Sequence, residues 1–169
     1  LLIERIGGIK YINNRLKELG LYQTKLNNLL PDLKGTNTTT SKDLAQIISL
    51  AESQEFLSIR ARDLFKETLS TSVSNKLLPD GILQGLGIQK GNSDYKLLIE
   101  GFRVYNKTGD IGITYADAGL IQLPNASIAV AVFIAEGPFN DPRSSELIRE
   151  MAAAMVPYIH KEAKSDKNQ

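Results

Sequence analysis

Apolar residues recur along this chain with two rhythms, separated by stretches that have neither. At the start, Leu1, Leu2, Ile3 and Ile6 make an amphipathic helical turn that Gly7-Gly8 breaks. Ile9, Ile12, Leu16 and Leu19 then recur at helical spacing until Gly20 stops them. From Leu21 to Thr40 the pattern dissolves into Asn, Thr, Gly and Pro, which predicts a surface loop. Thr40-Ser41 can cap a following helix that turns Leu44, Ile47, Ile48 and Ala51 inward. The spacing predicts another helix from Glu55 to Leu69, with Phe56, Ile59, Leu64, Phe65 and Leu69 on its apolar face. Ser70 to Pro79 reads as a polar connection with a short apolar end. Gly81, Gly85, Gly87 and Gly91 predict an irregular segment over Asp80 to Tyr95, and Leu97 to Asn106 reads as extended.

The rhythm then changes to that of strands. Thr114–Leu123 and Ser127–Ala135 are apolar, alternating or β-branched, and Pro124-Asn125-Ala126 joins them as a hairpin turn would. With the strand before Lys107 they predict a three-stranded antiparallel meander. After Pro138 to Pro142, Ser144 or Ser145 can cap a last helix that buries Leu147, Ile148, Met151, Ala152, Met155 and Ile159 against the sheet.

Composition narrows the possible functions. The 169 residues suit one domain with a moderate core. Twenty basic and 19 acidic residues leave a net charge of +1, and no stripe suited to nucleic acid or polybasic membrane patch stands out. The mixed-charge tail from Lys161 to Lys167 reads as a solvated terminus. The absence of cysteine removes disulfides, thiol nucleophiles and thiolate metal sites. No apolar run is long enough to span a bilayer, and no signal-peptide pattern is present. The opening amphipathic turn reads as the end of a helix that begins elsewhere, which suggests the C-terminal piece of a longer protein.

The chemistry concentrates at Lys107-Thr108-Gly109, which ends one strand and leads through Asp110-Ile111-Gly112 into the next. It sets a cation, a hydroxyl and a side-chain-free backbone edge together. The triplet resembles the substrate-side motif of the serine penicillin-recognising enzymes. Thr24-Lys25-Leu26-Asn27-Asn28-Leu29-Leu30-Pro31-Asp32-Leu33, followed by Thr38-Thr39-Thr40, resembles the Ω-loop of class A β-lactamases and its Thr-rich exit. The Gly-Gly helix, this loop and the Lys-Thr-Gly strand fall in the family's order over most of the chain. Within the superfamily the chain looks most like the cyanobacterial penicillin-binding protein A group, D-alanyl-D-alanine peptidases. The resemblance implies a β-lactamase/transpeptidase-like α/β fold of α+β type. Its antiparallel sheet is flanked by helices and accompanied by part of an all-helical subdomain. On this reading residues 1–79 are the helical part with a shortened Ω-loop, 80–100 an insertion, and 101–169 the meander and closing helix.

Departures from the family pattern are informative. Class A β-lactamases carry a Glu before the Ω-loop Pro, where it activates the deacylating water. Here Leu30 precedes Pro31, and a leucine can neither take a proton nor hold water. The resemblance therefore implies a site that acylates with penicillin and stays acylated; Asp32 is the one acidic neighbour that could substitute. Lys34 falls where an Asn helps to hold that water. The Arg–Asp bridge that closes the lactamase loop is replaced by Asn28 and Asn37, which could hydrogen-bond across the neck. The Arg that grips the substrate carboxylate in many lactamases would fall near Ala116-Asp117, where there is none.

The family's nucleophile, the Ser of Ser-x-x-Lys, and its Ser-Asp-Asn motif find no place in the chain. Ser93-Asp94-Tyr95-Lys96 matches the first pattern but lies in the Gly-rich segment, leads toward a strand and sits too close to Lys107. His160, the single histidine, reads as a surface imidazole near the end of the last helix, with no Ser and Asp framing it. The resemblance assigns Lys107 a positive field at the substrate carboxylate and Thr108 a hydrogen bond to it. Gly109 gives room for the substrate backbone as an added strand, and the Asp110 N–H is one of two oxyanion donors. It implies no cofactor and no metal. It also implies the periplasm, peptidoglycan stem peptides as substrate, β-lactams as covalent inhibitors, and a missing N-terminal half as partner. Two alternatives stay open: a class A-like β-lactamase with atypical deacylation, and a non-catalytic peptidoglycan-binding homologue. Without the missing half, the inner faces of the two last strands are expected to be bare and the 169 residues unstable alone.

Overall fold

The computed structural model describes residues 2–71, 77–89, 93–137 and 141–165. Two helices, α1 (Leu2–Arg5) and α2 (Gly8–Glu18), meet at Gly7 and Gly8, both at positive φ. The loop from Leu21 to Thr40 follows. The Thr40 hydroxyl accepts the Asp43 N–H at 3.2 Å and starts α3 (Ser41–Glu52). α4 (Ile59–Ser70) begins four residues later than the expected Glu55, because the Ser58 side chain caps it through the Ala61 N–H. Its inner stripe matches the expected one only in part, with Phe65 and Leu69 half-buried. Ile59 and Leu64 are exposed, and none of its residues is fully buried. The half-buried stripe carries Arg62 and Lys66, whose side chains reach Glu52; Lys66 Nζ lies 2.6 Å from its carboxylate. Charge pairing and partial apolar burial therefore share that helix face.

The segment expected to be irregular is instead largely helical, with α5 (Leu78–Gly85) and α6 (Ser93–Ile99). Gly81 and Gly85 are contacts rather than breaks, whereas Gly87 (φ +73°) lies in the turn that follows α5 and Gly91 lies outside the described residues. A Cβ on Gly81 would stand 2.6 Å from Ala152 Cβ, and one on Gly85 2.5 Å from Val156 Cγ2. α5 therefore lies flush on α7 (Pro142–Ser165), which runs along the sheet. The expected extended run from Leu97 to Asn106 is helix up to Ile99, then a turn at Gly101 (φ +82°), then strand. The last helix starts at Pro142, ahead of the expected serine caps. Asp141 accepts the Arg143 N–H at 2.9 Å, and Leu147 faces solvent.

The expected meander is present as β1 (Arg103–Asp110), β2 (Thr114–Gln122) and β3 (Ile128–Glu136), antiparallel in that order. Alternation along β2 sends Ile121 into a core with Leu78, Ile82, Phe102, Ala152 and Val156, from α5, α7 and the approach to β1. Leu120 points the opposite way, toward the side on which α3 packs, and it too is fully buried. Both faces of β2 are thus covered. The expected bare sheet is not found, and the exposed large apolar residues lie instead on helices, loops and hairpin ends, such as Leu2, Leu33, Ile59 and Tyr158. This is an antiparallel sheet flanked by helices, the expected α/β arrangement.

Candidate functional site

Strand β1 is an edge strand whose only described neighbour is β2. The register sets Lys107 opposite Ala118, Thr108 opposite Asp117, Gly109 opposite Ala116 and Asp110 opposite Tyr115. Lys107, Gly109 and Asp110 are exposed and Thr108 is half-buried. Four residues expected to act together therefore form one contiguous accessible edge. Lys107 Nζ folds back to donate to the Thr108 carbonyl at 2.5 Å. A Cβ on Gly109 would find nothing in the protein closer than Ala116 Cβ at 4.0 Å, so the fold itself does not require glycine there. Just before this edge, Arg103–Asn106 wall a cleft of about 330 Å³ whose other sides are Leu69 and Ser70 of α4 and Leu97, Leu98 and Phe102.

The 21–40 loop is pinned at several levels. Asn13 of α2 holds Leu26 with two bonds of 2.8 Å, and the Asp43 carboxylate, buried in the first turn of α3, accepts from Gln23 N–H and the Thr24 hydroxyl. Lys25 and Thr38 exchange backbone bonds of 2.9 and 3.0 Å. Beyond that bridge, the Asn37 amide oxygen accepts the N–H groups of Asn27 and Asn28 at 2.7 and 2.9 Å, and its NH₂ donates to the Asn28 carbonyl. The two asparagines thus do meet across the neck, through one side chain and the other's backbone. Asp32 is buried. Its two oxygens accept from the Thr36 hydroxyl at 3.0 Å and from Asn37 N–H at 2.6 Å, and the Asn37 N–H above all holds its pKa below the usual carboxylate value. An acid so occupied is a poor proton acceptor.

At the loop's tip Leu30, joined to Pro31 by a cis peptide, is 73% exposed, so it is not a packing residue. The loop reaches the β1–β2 hairpin where Gly35 (φ +62°) rests on Ile113; a Cβ there would stand 2.9 Å from Ile113 Cδ1. The structure thus brings the Leu30 loop and the Lys107–Asp110 strand to neighbouring positions.

Sequence reasoning missed a buried polar pair behind the strand. Asp117 is fully buried, accepts the Asn106 amide at 2.9 Å on both oxygens, and accepts the Leu78 N–H at 2.9 Å. From β2 it therefore caps the first turn of α5. Burial pushes its pKa up, against the lowering effect of these donors and of Lys107. The available signal was two polar residues at inward positions of adjacent strands, where alternation calls for apolar ones.

The residues set aside keep little catalytic character, for reasons that differ from those expected. Ser93 and Lys96 lie on α6, not in a run leading directly into a strand, and Lys96 Nζ donates to the Gln89 carbonyl at 2.5 Å. His160 is near the end of α7, as expected, but half-buried rather than on the surface. Its ring stacks on Phe102 with centroids 5.7 Å apart.

Comparison with known proteins agrees with this geometry. A structure of PBP-A superimposes with a TM-score of 0.78 at 39% identity, covering 94% of this chain and 54% of that one. A PBP-A variant with one leucine replaced by glutamate, solved as an acyl-enzyme complex with penicillin G, gives 0.78 at 38% identity with the same coverage. A β-lactamase from Chitinophaga pinensis shares the fold, with a TM-score of 0.72 at 17% identity over 94% of this chain and 58% of that one. The chain spans little more than half the length of these structures. No curated protein sequence matches it. The sequence model of the β-lactamase enzyme family matches residues 1–159. With the meander, the pinned loop and the Lys-Thr-Gly edge in the expected places, the chain belongs to that family.

Proposed function

We propose that this chain is part of a serine-type D-alanyl-D-alanine peptidase, a penicillin-binding protein acting on peptidoglycan stem peptides in the periplasm. A serine outside residues 1–169 attacks the substrate carbonyl, expels the terminal D-alanine and is left acylated. A β-lactam acylates it in the same way through ring opening. Lys107 provides the positive field at the substrate carboxylate and Thr108 a hydrogen bond to it. Gly109 leaves space for the substrate chain along the β1 edge. The Asp110 N–H donates to the oxyanion, a contribution of about 3 kcal/mol to the barrier. Residues 1–79 supply the loop side of the cleft and 101–169 the strand side.

One observation carries the choice of peptidase over lactamase. Leu30 stands exposed before Pro31 where a general base would be needed, and Asp32 is buried and bonded within the loop. The penicillin G acyl-enzyme of the PBP-A leucine-to-glutamate variant supports acylation by β-lactams. The test is the lifetime of the penicillin adduct on the full-length protein, followed by intact-protein mass spectrometry. The adduct is expected to persist, and Leu30→Glu to shorten its life by about 100-fold, the scale of a positioned general base. Rapid turnover by the unaltered protein would assign it instead as a β-lactamase.

A further inference from the structure

A second cleft, of about 550 Å³, opens between α2 and the start of the loop. Lys10 and Lys17 line it from α2, Lys25 faces them from the loop, and Asn14 and Tyr22 complete the rim. Seven residues separate the two α2 lysines, so they share a helix face and lie about 10 Å apart along the axis. Lys25 is held in place by its double backbone bond to Thr38.

The charge in this cleft is one-sided. Among the described residues, none of the three lysines makes an ion pair, and no carboxylate lines the cleft. Two acids on the adjoining elements are engaged elsewhere. Glu18 pairs with Arg15 at 2.7 Å, and Asp43 is buried and takes its bonds from Gln23 and Thr24. In a chain of net charge +1, three unpaired cations around one concavity repel one another, and an anion would relieve that repulsion. Two neutral features narrow the class of anion. Tyr22 is 78% exposed, offering a flat apolar face with a hydroxyl at its edge. Asn14 is exposed on the same helix face and free to donate and accept, whereas its neighbour Asn13 is committed to Leu26.

We propose that this cleft is a docking site for an anionic glycan. Such a polymer carries carboxylate or phosphate groups at intervals matching Lys10 and Lys17, and its sugar rings can lie on Tyr22 while their hydroxyls bond Asn14. Nucleic acid fits less well. The patch has no arginine and only one aromatic ring, and it is too short to follow a phosphate backbone. The site involves none of the residues assigned to acylation and does not depend on that assignment.

The test uses the full-length protein with fluorescently labelled alginate oligosaccharide, neutral dextran of similar size, and a single-stranded DNA oligonucleotide. Anisotropy is read at an ionic strength of about 0.01 M, where screening is weak. The alginate is expected to bind and to weaken steadily with added salt, while dextran does not bind. The Lys10→Gln/Lys17→Gln/Lys25→Gln variant, altered only at exposed positions, should bind about tenfold or more weakly. Tyr22→Ala should weaken binding while leaving its salt slope unchanged. The proposal is overturned if alginate does not bind, if the triple variant binds it equally, if dextran binds as well, or if the DNA binds more tightly than the glycan.

Discussion

Gly109→Ala separates what the fold needs from what the proposed substrate needs. A Cβ at this position meets no protein atom nearer than 4.0 Å, ordinary van der Waals contact, and its φ is not in the left-handed region. The protein can therefore accept alanine without strain. The change should stabilise it by about 0.4–1 kcal/mol, because alanine restricts the unfolded chain. Gly119, on the neighbouring strand, is the comparator. A Cβ there would stand 2.4 Å from the Tyr105 carbonyl oxygen and 2.8 Å from Asn106 Cβ, so Gly119→Ala must push β1 and β2 apart and cost several kcal/mol. Function should run the other way at Gly109. An added methyl on the edge where the acyl donor lies displaces it by about 1 Å, which costs about 100-fold in acylation, or about 2.7 kcal/mol of barrier. Urea denaturation of both variants, with the second-order acylation rate of a fluorescent penicillin on the full-length protein, reads the two quantities separately. If Gly109→Ala acylated like the unaltered protein, the substrate would not lie against this edge. If it destabilised the fold as Gly119→Ala does, the described packing would be wrong.

Three further outcomes follow from buried and bonded acids. Asp117→Ala strands the Leu78 N–H and the Asn106 amide and should cost about 3 kcal/mol or more in denaturant melts. In a double-mutant cycle with Asn106→Ala the losses should fall short of additive by about 0.5–3 kcal/mol; strict additivity would show that the pair does not interact in solution. Asp32, with its pKa lowered in the fold, contributes stability that is present above its unfolded value of 3.8 and lost as pH falls through the lower folded value. The stability gap between the unaltered protein and Asp32→Asn should therefore close in acid, and a gap independent of pH would contradict the assigned bonds. Asp117, raised by burial, has the opposite sign. Its ionisation weakens the fold as pH rises from 3.8 through its higher folded value, so Asp117→Asn should remove that decline from the pH profile.

Much of this was legible from periodicity. The helix with Ile9, Ile12 and Leu16, the helix capped by Thr40, and the hairpin around Pro124-Asn125-Ala126 stand where their patterns put them, because each is long or sharply punctuated. The errors share a physical cause. Glycine reads locally as a breaker, yet Gly81 and Gly85 are small so that α5 can touch α7, a partner some seventy residues away in sequence. On α4, Arg62 and Lys66 share the half-buried stripe with Phe65 and Leu69 through their bonds to Glu52, so counting apolar residues found only part of that face. At the site, the Lys-Thr-Gly-Asp edge was visible as a motif. The Asp117–Asn106 pair was not, since a polar residue in a strand does not announce which donor it will meet.

The loop and the strand are joined by contacts that carry little charge. A salt bridge across a loop neck adds modestly to stability when exposed and weakens in salt. Here the neck is closed by an amide and backbone groups, with Asp32 as the one anion, satisfied inside the loop. Such a closure fixes the path of the chain on either side of Leu30, and the acid nearest it in sequence, Asp32, is occupied by Thr36 and Asn37. The far end of the same loop is set by shape, through Gly35 lying on Ile113 at the tip of the β1–β2 hairpin. The loop that carries Leu30 and the hairpin that follows Gly109 therefore meet through the apolar Gly35–Ile113 contact, and neither Leu30 nor Gly109 supplies a base. On the proposed reading an acyl group at the β1 edge meets a cation and hydrogen-bond donors, while Leu30 offers no base and Asp32 is held by its own loop bonds. On that reading this loop favours a long-lived ester, which the adduct lifetime measures.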